Sequence, residues 1–233
     1  MASRILVIIN NNNNYNNSFD YINPDYIKSI DLSGNLFELV KLYDIIIISG
    51  GPQHLTCDQI DFYPEIQLQI QIVYLCKILD KVLIGICLGC QIIAYSFGLK
   101  IINLDNLCIG TGHLDKKTIK HDSFISKLNY DLLESAFSYH YDCISFIENN
   151  EIDLIAESNN KIPYIIKHKK SNIYGFQSHP ETNIINIQKI GRMCETKSSP
   201  SGLQPSANSC NFNEYSDQIA LDFFNSILNH FKN

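Results

Sequence analysis

Three short runs of branched apolar residues constrain this chain more than any other feature of its sequence. They are Arg4 to Ile9 (RILVII), Asp44 to Ile48 (DIIII) and Lys81 to Ile86 (KVLIGI), each continuous rather than alternating. A strand that is wet on one face alternates apolar and polar residues. Unbroken runs therefore predict strands buried on both faces, as in a parallel sheet. Each run stops at turn-forming residues: the Asn tract Asn10 to Asn14, then Ser49-Gly50-Gly51-Pro52, then Cys87-Leu88-Gly89. The Asn tract reads as low-complexity and mobile. Parallel neighbours need a crossover, so Ile66 to Leu79 is read as a helix. Its first half, IQLQIQIV, alternates with strand period and disagrees with that reading.

Further along, Gln91 to Phe97 before Gly98 predicts a short helix with a glycine stop. From Lys100 to Ile166 the pattern is short strands and turns, partly antiparallel, and Ile173 to Phe176 is another short strand. Residues 192 to 216 turn to Ser, Pro, Asn and Gly, which predicts a flexible insert. Asp217 to Phe231 then places Ile219, Phe223, Phe224, Ile227 and Leu228 on one helical face.

Composition excludes several function classes. The 233 residues carry a formal net charge of -6, against a general nucleic-acid binder. The densest basic stretch, Lys167 to Lys170, reads as a solvated turn. The first apolar run is too short for a signal sequence or a membrane span. With several of the eight cysteines inside apolar runs, the expectation is free thiols in a reducing cytoplasm and no membrane partner.

Chemistry concentrates in three places. In Gly85-Ile86-Cys87-Leu88-Gly89 a buried strand ends, a thiol sits on the turn and a helix begins, the arrangement of a nucleophile elbow. Glycines on both sides permit a tight turn, and a helix N-terminus stabilises a thiolate. Alone, the pattern equally suits a buried structural cysteine. Cys87 and Cys90 also have redox or zinc-type C-x-x-C spacing, but no second ligand pair accompanies them. His179-Pro180-Glu181 supplies a base and its orienting carboxylate, which two-residue spacing in an extended segment would put on one side. Ser49-Gly50-Gly51-Pro52 is a turn that could aim backbone N–H groups at an oxyanion. It also reads as a simple tight turn.

The order strand-SGGP, strand-GICLGCQ, strand-QSHPE closely resembles the class I (triad) glutamine amidotransferases, from about Arg4 to Glu181. The resemblance implies a flavodoxin-like α/β fold: an open, mixed, mostly parallel sheet with helices on both faces, in a single domain over residues 1–233. It implies a glutaminase in which Cys87 attacks glutamine, His179 moves protons and Glu181 orients His179. By the same resemblance the N–H groups of Gly51 and Leu88 form the oxyanion hole, and Gln91 helps hold glutamine. Tyr139 and Tyr141, in Ser138-Tyr139-His140-Tyr141-Asp142, belong to the stretch that completes the pocket. No cofactor and no metal is implied. The partner implied is a separate synthase that accepts ammonia, and the pattern is most similar to the glutaminase part of GMP synthase. Anthranilate and aminodeoxychorismate glutaminases share much of it. A γ-glutamyl peptidase with the same triad, or a non-catalytic relative, are the competing readings. Two departures stand out. Cys90 replaces the family's usual His or Met and is expected to pack behind the elbow, with a second reactive thiol as the alternative; Ser178 replaces Phe and is expected to loosen the packing around His179 or open the site.

Overall fold

The computed structural model describes residues 3–10, 16–56, 63–182 and 215–231. All but the last two positions of the expected insert at 192–216 lie outside the described residues, as does the Asn tract beyond Asn10. The three apolar runs form β1 (Ile5–Ile9), β3 (Ile45–Ile48) and β4 (Val82–Ile86), in which every residue is buried. With β2 (Asp25–Lys28), β7 (Ile152–Glu157), β8 (Pro163–His168) and β9 (Ile173–Phe176) they make a seven-stranded sheet. Its order is β2-β1-β3-β4-β9-β8-β7, parallel from β2 to β9 and antiparallel for β8 and β7.

Each central strand alternates its side chains between the two faces. On one face Val7, Ile47, Ile84 and Phe176 pack against Phe223, Phe224 and Ile227 of the last helix, α5 (Tyr215–Phe231). Phe176 and Phe223 meet edge to face at 5.1 Å between ring centroids. On the other face Leu6, Ile8, Ile46, Ile48 and Leu83 are covered by three helices. These are α1 (Leu36–Lys41), α2 (Pro64–Ile78) and α3 (Leu88–Ser96). Each such fully buried side chain contributes roughly 1.5–3 kcal/mol of transfer free energy.

The sequence between β3 and β4 is the helix α2 despite its strand-like alternation. Its buried positions Ile66, Gln69, Ile72, Val73 and Cys76 recur at helical spacing, and Pro64 occupies its first turn. The stop after α3 is Gly98, with φ +83, in the left-handed region that glycine accepts. The segment read as short, partly antiparallel strands holds β7, most of β8 and a second, antiparallel pair, β5 (Lys100–Gly110) with β6 (Ser138–Ser145); β5 is longer than expected and is interrupted by a register shift between Asn103 and Cys108. A short helix, α4 (Tyr130–Glu134), precedes β6.

Two further expectations are corrected. Asn10 is not part of a mobile tract: it is buried and makes hydrogen bonds through both its backbone and its side chain. The basic stretch at Lys167 is not simply a solvated turn. Lys167 pairs with buried Asp122 at 3.3 Å, and His168 is buried, its Nδ1 accepting from the N–H groups of Lys170 and Ser171.

Candidate active site

The carboxyl ends of β1, β3, β4 and β9 open onto one edge of the sheet, where open parallel sheets bind ligands. Cys87 follows β4 directly and caps α3. Its N–H donates to Phe176 O at 2.7 Å, and Gln91 N–H donates to Cys87 O at 3.1 Å, so the elbow is tied both to β9 and to its own helix. Cys87 has φ 51 and ψ -103, a conformation that costs a non-glycine residue energy. The strain sits on the cysteine itself. The flanking glycines serve a different purpose: a Cβ at Gly85 would strike the backbone of Gly89, and one at Gly89 would strike the carbonyl of Ile48. They let α3 press onto the sheet.

His179 is anchored by donating its N–H to Phe137 O at 2.7 Å. Its Nδ1 lies 2.9 Å from Glu181 Oε1, which also accepts from Thr182 Oγ1 at 3.3 Å. The pair is brought together by a turn rather than by a straight extended segment. Thr182 N–H donates back to His179 O, with Pro180 at the second position, where its fixed φ suits a turn. With Nδ1 occupied by Glu181, Nε2 is left for the thiol. Burial opposes a charge on His179, yet the Glu181 carboxylate and the Cys87 sulfur outweigh it and hold its pKa well above the ordinary histidine value.

The Gly50–Gly51 turn lies against both groups. A Cβ on Gly50 would come within 2.7 Å of His179 Cε1 and 3.4 Å of Cys87 Cβ. A Cβ on Gly51 would meet Asn10 Cβ at 2.6 Å and Leu88 Cδ2 at 2.9 Å. Leu88 is the first residue of α3, so its N–H has no acceptor within the helix. The three motifs, distant in sequence, thus converge on one point.

Around this point Gln91 is buried, and its Nε2 donates to Asp142 O at 2.9 Å and to Gln177 Oε1 at 3.3 Å. Gln177 Nε2 in turn approaches Cys87 Sγ at 3.8 Å. Tyr139 brings its carbonyl to 3.9 Å from the same sulfur, whereas Tyr141 is half exposed. His54, beyond the Gly-Gly turn, bonds Asp142 Oδ2 at 2.9 Å, and Asn103 bonds the other oxygen, strapping the loop to the β5–β6 hairpin. His140 is buried and donates from Nδ1 to Asp142 O; burial pushes its pKa down to about 4, so it stays neutral.

Cys90 is fully enclosed behind the elbow, in a slot that exists because Gly175 has no side chain: a Cβ there would meet its sulfur at 2.7 Å. Burial pushes its thiol well above the usual range. Ser178 does not open the site, since it is wholly buried. It lies by the Tyr164 phenol, which burial pushes up to about 12 against the pull of the Ser178 and Ser138 hydroxyls. The three hydroxyls interact without any hydrogen bond of normal geometry. Sequence reasoning assigned no role to Asn10, Gln69, Gln177 or His54. The one available signal was Gln69, a polar residue on the apolar face of α2. Among the described residues, no three His, Cys, Asp or Glu side chains are placed to hold a metal ion, and no helix is long and apolar enough to cross a membrane.

The family description "Glutamine amidotransferase class-I" matches residues 13–186. The chain is 31% identical over 209 residues to glutamine amidotransferase-like protein L716 of Acanthamoeba polyphaga mimivirus, covering 89% of this chain and 91% of that one. It is 29% identical over 184 residues to one of the subunits of the glutamine-hydrolysing GMP synthase of Methanosphaera stadtmanae, covering 76% of this chain and 88% of that one. The fold matches a crystal structure of a glutamine amidotransferase from Thermotoga maritima with a TM-score of 0.76 over the full length of both chains, at 13% identity. The extent of the family match, residues 13–186, leads to one conclusion: this chain belongs to the class-I glutamine amidotransferases.

Proposed function

We propose that this chain is a glutaminase that hydrolyses the side-chain amide of glutamine and passes the ammonia to a synthase partner. The observation that carries the reading is the meeting of Cys87, on a strained elbow, with a histidine already bonded to a buried glutamate. Cys87 Sγ attacks the amide carbon, and the carbonyl electron pair moves onto oxygen. The N–H groups of Gly51 and Leu88 receive that oxyanion, a contribution of about 3 kcal/mol per donor. His179, charged at rest, gives its proton to the leaving nitrogen, so ammonia departs as the thioester forms. Neutral His179 then takes a proton from water, the resulting hydroxide attacks the thioester, and glutamate leaves as Cys87 regains the sulfur electrons. Glu181 keeps Nδ1 protonated throughout and faces Nε2 to the reaction. Gln91, Tyr139 and Tyr141 border the pocket that takes the body of glutamine.

Similarity to one component of a glutamine-hydrolysing GMP synthase supports a partner of that kind, a synthase that aminates a purine nucleotide. The test is ammonia release from L-glutamine by the wild type and Cys87→Ser. Release that vanishes in Cys87→Ser supports the assignment. Undiminished release in that variant contradicts it, and cleavage of γ-glutamyl peptides in preference to glutamine would reassign the chain to the peptidases.

A further inference from the structure

Glycine at positions 50 and 51 is forced by crowding, since a Cβ at either would collide with the site. That solution creates a problem. A peptide flanked by two glycines has little intrinsic preference and flips readily. The N–H proposed for the oxyanion belongs to this Gly50–Gly51 peptide. Something outside it must set its orientation.

Ser49 is placed to do so. Its Oγ donates to Gly50 O at 3.0 Å and accepts the N–H of Asn10 at 3.0 Å. The hydroxyl's single proton is therefore committed to the Gly50 carbonyl. In a trans peptide C=O and N–H point opposite ways, and the described residues contain no cis bond. Holding Gly50 O thus turns the Gly51 N–H away from Ser49. The preceding peptide is held too: Asn10 Nδ2 donates to Ser49 O at 3.1 Å. Asn10 is itself locked by Gln69 through two reciprocal amide bonds, Nδ2 to Oε1 at 3.0 Å and Nε2 to Oδ1 at 2.8 Å. Gln69 is completely buried on the apolar face of α2, where an unpaired amide would be costly. A helix, the end of β1 and the Gly-Gly turn are joined in one chain of bonds.

From this we infer that Ser49 is a positioning residue: its hydroxyl, backed by the Asn10–Gln69 pair, latches the Gly50–Gly51 peptide with its N–H set for the oxyanion before any partner binds. The inference rests on the glutaminase reading. The latch touches no substrate atom, so it acts on the chemical step and leaves binding and thiol reactivity alone.

The test compares wild type, Ser49→Ala and Ser49→Thr as full chains. It measures kcat and KM for glutamine, the rate at which iodoacetamide alkylates Cys87, and the thermal midpoint. Alkylation needs the thiolate but no oxyanion hole. For Ser49→Ala we expect kcat to fall by about tenfold, with KM and the alkylation rate within about twofold of wild type. Ser49→Thr, which keeps the hydroxyl, should recover most of the loss. Wild-type kcat in Ser49→Ala would overturn the latch. So would an alkylation rate that falls in step with kcat, or a folded Ser49→Thr no better than Ala. A wild type that alkylates normally but releases no ammonia would also overturn it, because the turn would not be set in the free chain. Failure of the wild-type thiol to alkylate would instead strike the glutaminase reading itself.

Discussion

Replacing Glu181 by Gln removes one charge from the site and little else, and its consequence can be worked from the geometry. Glu181 Oε1 is 2.9 Å from His179 Nδ1, and both side chains are largely buried, 6% and 16% exposed. With charge centres about 4 Å apart and an effective dielectric of about 20, the attraction is about 4 kcal/mol. Burial of the imidazolium opposes it, yet the net effect of the carboxylate is to push the His179 pKa up. His179 must be charged to protonate the leaving nitrogen, so activity falls as pH rises through its pKa. In the wild type that alkaline limb of kcat/KM should lie well above the ordinary histidine value. In Glu181→Gln it should move down toward the ordinary histidine value, with kcat reduced by about 10³–10⁴ as the ring loses its orientation. The assay is glutamate production followed from about pH 5 to 10 for both proteins. The stability sign agrees. A histidine whose pKa is raised on folding stabilises fully below its unfolded value and loses that contribution as pH rises through the folded one. The gap in thermal midpoint between the two proteins should be widest near pH 6 and close with rising pH. An alkaline limb that stays in place in Glu181→Gln would refute the electrostatic account.

Other perturbations separate the roles of neighbouring residues. Cys90→Ser should keep kcat within about threefold and lower stability by about 1–3 kcal/mol, because it buries a hydroxyl in an enclosed slot; a loss as deep as that of Cys87→Ser, read in the same glutaminase assay, would mean that both thiols take part. Gly89→Ala drives a Cβ into the Ile48 carbonyl and should cost about 3 kcal/mol or more, a fall in thermal midpoint of roughly 6–12 °C. An unchanged midpoint would show that α3 can lift off the sheet without penalty.

The central strands were legible because a parallel sheet buries both faces of each strand, leaving unbroken runs such as Ile45 to Ile48. The crossover helix was harder to read. Local alternation in IQLQIQIV competed with the topological need for a helix, and that need decided the reading; the buried positions Ile66, Gln69, Ile72, Val73 and Cys76 follow the helical period. Asn10 was misread because composition groups it with the tract that follows. Its role comes from partners 39 and 59 residues away, which no local window contains. The same limit hid the turn that folds Glu181 back onto His179. Motif spacing predicted that the two side chains meet but not by what backbone path. The reason for glycine at positions 85 and 89 was also inaccessible, since it lies in the approach of α3 to β3 and β4 rather than in the turn.

The most direct measurement is covalent labelling with the glutamine analogue 6-diazo-5-oxo-norleucine, read by intact-protein and peptide mass spectrometry. Labelling requires a pocket that recognises glutamine and a nucleophile poised against its reacting carbon, together the core of the proposed function. The account predicts one adduct per chain, on Cys87, and none in Cys87→Ser although Cys90 is still present. An adduct on another cysteine, or no adduct on a folded chain whose Cys87 reacts with iodoacetamide, would contradict it.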